Sequence, residues 1–401
     1  KSSDWFDPEW MFGIKDGFDV VIGNPPYIDS ETMVKLFPGL RDILKKYYIT
    51  AKGNWDIYIP FYEVAYNLLK SNNAILSYIT PNKWLAAPYG KTLREFFEKD
   101  ISHVVNCSKI KVFEAGNSPL IIFVQKGSNT DSVLISEFSP EWKAMDIDSY
   151  PKNHLNIYNW GVLLSPHLNI LLSLNSIQRV IGDDFSVENP FSTSEAYEIE
   201  KIVEDAKVFD DCFKLLTTGS IDPYISMWGV KTTSYLKSKY IFPVIKSSVL
   251  KKHFPRRFAQ QSCKKIILSG MRHFEAYFDS EGEFLASKST IMIKNISDNQ
   301  SGYFLTAILN SNLIKFYIKE SYSSMGIDGG INFSKDMVAM IPLKTEPSKV
   351  KKTAEIVAEI ISAKKQDIFA NTTDLEKQID KMVYELYGLT EEEIRIVEGG
   401  E

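Results

Sequence analysis

The chain has 401 residues, 44% of them hydrophobic, with 46 Lys and Arg, 51 Asp and Glu and a formal net charge of -5. That composition predicts a globular protein of two or three domains, and no apolar run is long enough to span a bilayer. The three cysteines, Cys107, Cys212 and Cys263, are scattered. They exclude a disulfide framework and a Cys-x-x-Cys metal site and predict a reducing, cytoplasmic setting. The five histidines, His103, His154, His167, His253 and His273, lack metal-ligand spacing, so no metal site is expected.

In chain order, residues 1–18 lead into a β-branched run, Val20 to Ile22, that reads as a buried strand. Gly23 ends it, and Asn24-Pro25-Pro26-Tyr27 follows. Each proline constrains the residue before it, and neither has an N–H, so this corner offers acceptors and no donors. Two carbonyls, from Asn24 and Pro25, beside the flat ring of Tyr27 suit a planar group bearing an NH2. Acceptors on both hydrogens localise the nitrogen lone pair and stabilise the positive charge that grows as it attacks a methyl donor. Tyr27 would stack on the base.

Asn-Pro-Pro-Tyr after a hydrophobic strand resembles motif IV of the amino-methyltransferases, chiefly the N6-adenine DNA methyltransferases. The resemblance implies a Rossmann-like sheet dependent on S-adenosyl-L-methionine, with Asn24, Pro25, Pro26 and Tyr27 catalytic and Asn24 also facing the cofactor. A donor-binding glycine-rich loop is expected well upstream of Asn24, where only the isolated Gly13 and Gly17 stand. The expectation is therefore the C-terminal half of such a sheet, missing an upstream methyltransferase or nuclease segment and inactive alone.

Further along, Ile57 to Leu69 has helical spacing and Ala74–Thr80 reads as a strand. Lys91–Lys99 reads as a helix, and Ile101–Asn106 and Leu120–Gln125 as strands, which together predict a mostly parallel α/β sheet. Asn54-Trp55-Asp56-Ile57-Tyr58 and Pro81-Asn82-Lys83-Trp84-Leu85 resemble later motifs of the same family. Lys111-Val112-Phe113-Glu114 resembles its segment whose aromatic ring packs on the flipped base, which would make Phe113 a base contact. An ordinary core role for Phe113 is equally compatible with the sequence. Helices are expected over Leu163–Leu174 and Glu195–Lys207.

Residues 211–342 hold 17 Lys and Arg against 10 Asp and Glu, inside a chain that is otherwise acidic. From Lys239 to Phe274 there are nine basic residues and no acid, interleaved with Tyr240, Phe242, Phe254, Phe258 and Phe274. This pattern points to double-stranded DNA. The candidate contacts are Lys251, Lys252, Arg256, Arg257, Lys264, Lys265 and Arg272. Strands are expected near Lys265–Leu268 and Ser289–Ile293, then a helix from Tyr303 to Phe316 and a glycine-bearing loop over Ser321–Asn332. In order and spacing, Ala307-Ile308-Leu309-Asn310-Ser311, that loop, Phe333-Ser334-Lys335 and Ile341-Pro342 resemble the target-recognition domain of type I and TaqI-like restriction–modification proteins. The ending from Leu386 to Gly399 resembles that of fused type IIG enzymes, and two amphipathic helices are expected in the tail.

The expected organisation is 1–165 partial catalytic domain, 166–210 connector, 211–342 α+β target-recognition domain and 343–401 helical tail. The expected activity is site-specific adenine N6 methylation of DNA within a restriction–modification enzyme. The alternatives are a DNA-binding specificity module without catalysis, or a protein-glutamine methyltransferase, which uses the same four residues.

Overall fold

The computed structural model describes residues 6–112, 118–207, 211–322 and 331–400. The chain forms two compact units, Lys1–Asn175 with Glu320–Met325, and Ser176–Lys319 with Gly326–Glu401.

The first unit is built on a six-stranded sheet. Its strands are β1 (Val20–Gly23), β2 (Ala74–Pro81), β3 (Ile101–Asn106), β4 (Pro119–Lys126), β5 (Ser132–Phe138) and β6 (Ala144–Pro151). Their spatial order is β1-β2-β4-β3-β5-β6. β1 runs parallel to β2, and β3 to β5. The pairs β2–β4, β3–β4 and β5–β6 are antiparallel, so the sheet is mixed and not mostly parallel. The reason lies in the connections. A parallel neighbour needs a crossover, usually helical, and a helix does separate β1 from β2 and β2 from β3. The short turn from β5 to β6, where Trp142 adopts a positive φ of 61°, simply reverses the chain. β1 is a strand as expected, but it is not buried. Val20 is 57% and Ile22 79% exposed, because β1 is the sheet edge and pairs only with β2.

The core under this sheet is aromatic. Tyr62, on the helix Tyr58–Asn67, packs against Tyr78, Trp84 and Phe97, and Trp84 packs edge-on against Trp160. Arg94, on the helix Lys91–Phe97, is 1% exposed. Its guanidinium donates to the carbonyls of Ile157 (2.6 Å), Ala87 (3.1 Å), Tyr158 (3.1 Å) and Trp84. Burial without a carboxylate partner pulls its pKa down to about 10, still charged at neutral pH. This one cation fixes the turn that follows β2.

The second unit holds two four-stranded sheets. One has the order Phe284–Ala286, Cys212–Leu216, Pro243–Lys246, Glu204–Asp205; the other has Ala276–Asp279, Lys265–Ser269, Thr290–Lys294, Ser186–Glu188. The strands expected near residues 265 and 290 are there. The helix expected over 195–207 is Thr193–Glu200 and stops early, because Glu204 and Asp205 pair with Val244 and Pro243. The single helix expected from 303 to 316 is two, Asn299–Asn310 and Asn312–Ser321, broken where Ser311 turns extended. In the first unit, Leu163–Leu174 likewise divides into a short 3-10 turn and the helix Leu168–Asn175. The tail has three helices, Pro347–Gln366, Thr373–Tyr387 and Glu391–Val397. Gly388 closes the second in the left-handed conformation at φ 80°.

Candidate active site and nucleic-acid interface

The Asn-Pro-Pro-Tyr corner leaves β1 beside the end of β2. The parallel register pairs Gly23 with Tyr78, so the C-terminal ends of both strands point the same way. That end of a parallel pair is where open α/β sheets bind ligands. Gly23 lets the two strands meet closely: a Cβ there would stand 3.0 Å from the Tyr78 ring. Pro25 is buried, while Asn24 and Pro26 are exposed. Among the described residues, neither the Asn24 nor the Pro25 backbone carbonyl accepts a hydrogen bond, and the Asn24 side chain has no partner.

Two tethers hold the corner. The Tyr27 hydroxyl donates to the Ile79 carbonyl at 2.8 Å, and the Ile57 N–H donates to the Ile28 carbonyl at 2.9 Å. Asp29 then caps the helix Ser30–Leu36, accepting from the N–H groups of Glu31 (2.9 Å) and Thr32 (2.8 Å). Those hydrogen bonds, Thr32's first, lower its carboxyl pKa. Burial pushes the Tyr27 phenol up to about 12, so it remains a neutral donor at physiological pH.

Behind Tyr27 lies an arrangement to which sequence reading assigned no role. The Tyr27 ring meets Tyr58 edge-on, centroids 6.2 Å apart at 88°. The Tyr58 and Tyr89 hydroxyls are 3.0 Å apart, and Tyr89 donates to Asp56 Oδ2 at 3.2 Å. Because Tyr89 spends its proton on the carboxylate, Tyr58 is the donor to Tyr89. Burial raises the Asp56 carboxyl above its ordinary value, with Asp29 adding to the rise and Tyr89, Tyr58 and Lys83 opposing it. This chain fixes the ring against which Tyr27 rests. Asp56 and Tyr58 fall in a recognisable motif; Tyr89, 31 residues beyond Tyr58, gave no signal. Asn82, at the end of β2, is 6% exposed, and its Oδ1 has no partner among the described residues. Phe113 lies outside the described residues.

The seven basic candidates separate by environment. Lys251 and Lys252 are exposed on the helix Ser247–His253, and Arg256 is exposed on Pro255–Gln261. Lys264 is exposed and donates to Asn299 Oδ1 at 2.8 Å. Arg272 is exposed, with a positive φ of 67°.

Arg257 and Lys265 are engaged by partners within the protein. Arg257 grips Glu195 through two nitrogens, at 3.0 and 2.7 Å, and also donates to Gln260. That contact, with help from Ser192, pulls the Glu195 carboxyl down to about 2. A carboxyl with a depressed folded pKa adds stability above its unfolded pKa and loses it as pH falls towards the folded value. Glu195→Gln should therefore flatten part of the acid limb of a melting-temperature profile between about pH 4.5 and 2.

Lys265 is fully buried and pairs with Asp279 at 2.6 Å, also donating to the Gln261 carbonyl at 2.7 Å. Asp279 Oδ2 in turn accepts from the Phe284 N–H at 3.0 Å. Sequence shows a lysine in a basic run; it does not show that this strand position faces the core. Lys265→Ala would strand the Asp279 carboxylate, with an expected loss of about 3–5 kcal/mol in chemical denaturation.

The described residues contain no cluster able to hold a metal ion, and none of their helices is long and apolar enough to cross a membrane. Residues 1–113 match the family of the Eco57I restriction-modification methylase.

Over 207 residues the chain is 27% identical to the type II restriction enzyme and methyltransferase RM.Eco57I of Escherichia coli, covering 48% of this chain and 20% of the relative. Over 124 residues it is 31% identical to the type II methyltransferase M.BstVI of Geobacillus stearothermophilus, covering 29% of this chain and 21% of the relative. The matched stretch thus spans about a fifth of each relative's length. Among solved structures, the type IIL restriction-modification enzyme MmeI in complex with DNA overlaps 94% of this chain and 56% of its own, at 12% identity and a TM-score of 0.49.

Proposed function

We propose that this chain carries the acceptor half of an adenine-N6 DNA methyltransferase within a restriction–modification enzyme. What supports the reading most is the open corner at the end of β1: Asn24 exposed, its carbonyl and that of Pro25 unclaimed among the described residues, and Tyr27 tethered beside them. In this reading the side-chain carbonyl of Asn24 and the backbone carbonyl of Pro25 accept the two N6 hydrogens of a flipped adenine. The nitrogen lone pair is then localised and its growing positive charge stabilised. The Tyr27 ring stacks on the base, with Tyr58 behind it.

S-adenosyl-L-methionine, when bound, supplies an electrophilic methyl group. Among the described residues no glycine-rich turn stands at the end of β1 or β2 to cradle it. In this reading the described residues of the corner serve the acceptor. The exposed Lys251, Lys252, Arg256, Lys264 and Arg272 hold the duplex.

The test is nucleoside mass spectrometry of duplex DNA after incubation with the intact enzyme that contains this chain and the labelled donor. N6-methyladenine is expected. Label on cytosine, or on protein glutamine, would overturn the reading.

A further inference from the structure

In the second unit, a cavity of about 460 Å³ opens beside Arg272. Its floor is apolar: Phe274 and Phe333 meet edge-on, centroids 5.1 Å apart at 85°. Its rim is basic. Arg272 and His273 come from the turn after the strand Lys265–Ser269, and Lys315 and Lys319 from the helix Asn312–Ser321. The two lysines are four residues apart and share a helix face. Among the described residues, Arg272, Lys315 and Lys319 make no salt bridge. Among the described residues of the lining, Glu275 is the one carboxyl. Burial, then Asp222, raises its pKa, while His273, Lys315 and Lys231 act the other way.

The turn is held rigidly. Arg272 N–H donates to the Ile331 carbonyl at 3.1 Å, and Phe333 N–H to the Gly270 carbonyl at 2.9 Å. Gly270 packs so closely that a Cβ would come within 2.1 Å of the Ser289 carbonyl oxygen. Arg272 itself sits at φ 67°, a conformation that suits glycine and strains an arginine. Among the described residues no ion pair of the Arg272 side chain offsets that strain.

We propose that this cavity seats a backbone phosphodiester of duplex DNA, Arg272 making a forked contact and Lys315 and Lys319 point-charge contacts. The proposal rests on the reading of the chain as DNA-acting. It also extends the DNA surface beyond the basic run of 239–274, to two lysines that the sequence left unremarked.

The test is fluorescence anisotropy of a labelled duplex with the 401-residue chain across a salt series. Lys315→Ala/Lys319→Ala should weaken binding about tenfold or more near 0.1 M salt and flatten the slope of log K against log salt by roughly two. Arg272→Gly gives the sharper signature: relaxed backbone, a melting temperature equal or higher, and weaker DNA binding. Wild-type binding to DNA with both variants unchanged in affinity and slope overturns the pocket alone. No wild-type binding at all overturns the DNA-acting reading with it. Inorganic phosphate that shields Lys315 and Lys319 from acylation, where duplex DNA does not, assigns the cavity to a free anion and also overturns the proposal.

Discussion

Asn24→Ala, placed in the intact enzyme that contains this chain, is expected to lower the methylation rate by roughly 10²–10³-fold while leaving DNA affinity near wild type, as for loss of one preorganised acceptor at a site of developing charge. The side chain is exposed and has no partner among the described residues, so the fold has little to lose. Single-turnover methylation at saturating DNA separates this from a binding defect. A rate within threefold of wild type would remove Asn24 from the chemistry. In the proposed reading Tyr27 both tethers the corner and stacks on the base, so it should behave differently. Tyr27→Phe keeps the stacking face and loses the hydrogen bond to the Ile79 carbonyl, a cost of about 1 kcal/mol. Tyr27→Ala loses the face, and base stacking on an aromatic contributes about 1–3 kcal/mol.

Gly90→Ala should be the most damaging single methyl group in the first unit. The added Cβ would lie 2.0 Å from the Trp84 carbonyl oxygen and 2.8 Å from an Arg94 guanidinium nitrogen. Neither can step aside. The carbonyl is backbone and an Arg94 acceptor, and Arg94 is buried with four carbonyls to satisfy. We expect a loss of about 4 kcal/mol or more, in the range of the most severe point substitutions. Denaturant unfolding followed by tryptophan fluorescence reports it directly, since Trp84 and Trp160 pack against each other here. A midpoint within experimental error of wild type would show that the turn after β2 can shift freely.

Much of the first unit was legible because its signals are local. The run Val20–Ile22, the breaker Gly23 and the two prolines mark a strand end and a rigid corner from a handful of neighbouring residues, and β3 appears where its β-branched pattern put it. Sheet order was not legible. The placement of β4 between β2 and β3, antiparallel to both, is decided by long-range packing. The same divide runs through the site. Asn24 and Tyr27 announce themselves by motif, whereas Tyr89 acquires meaning only when the fold brings its hydroxyl between Tyr58 and Asp56. In the basic run, Lys251 and Lys265 look alike as letters. A helix surface exposes one, and a strand facing Asp279 buries the other. Conversely, Lys315 and Lys319 sit in a largely apolar helical stretch outside the run from 239 to 274, and the cavity unites them with Arg272.

The outer side of β1 has a practical corollary. It presents N–H and C=O groups to solvent next to the bare aliphatic side chains of Val20 and Ile22, with neither a lysine nor a proline on the strand itself to discourage pairing. Such a rim is a template. At high protein concentration, copies of this chain are expected to pair edge to edge through β1 and scatter light.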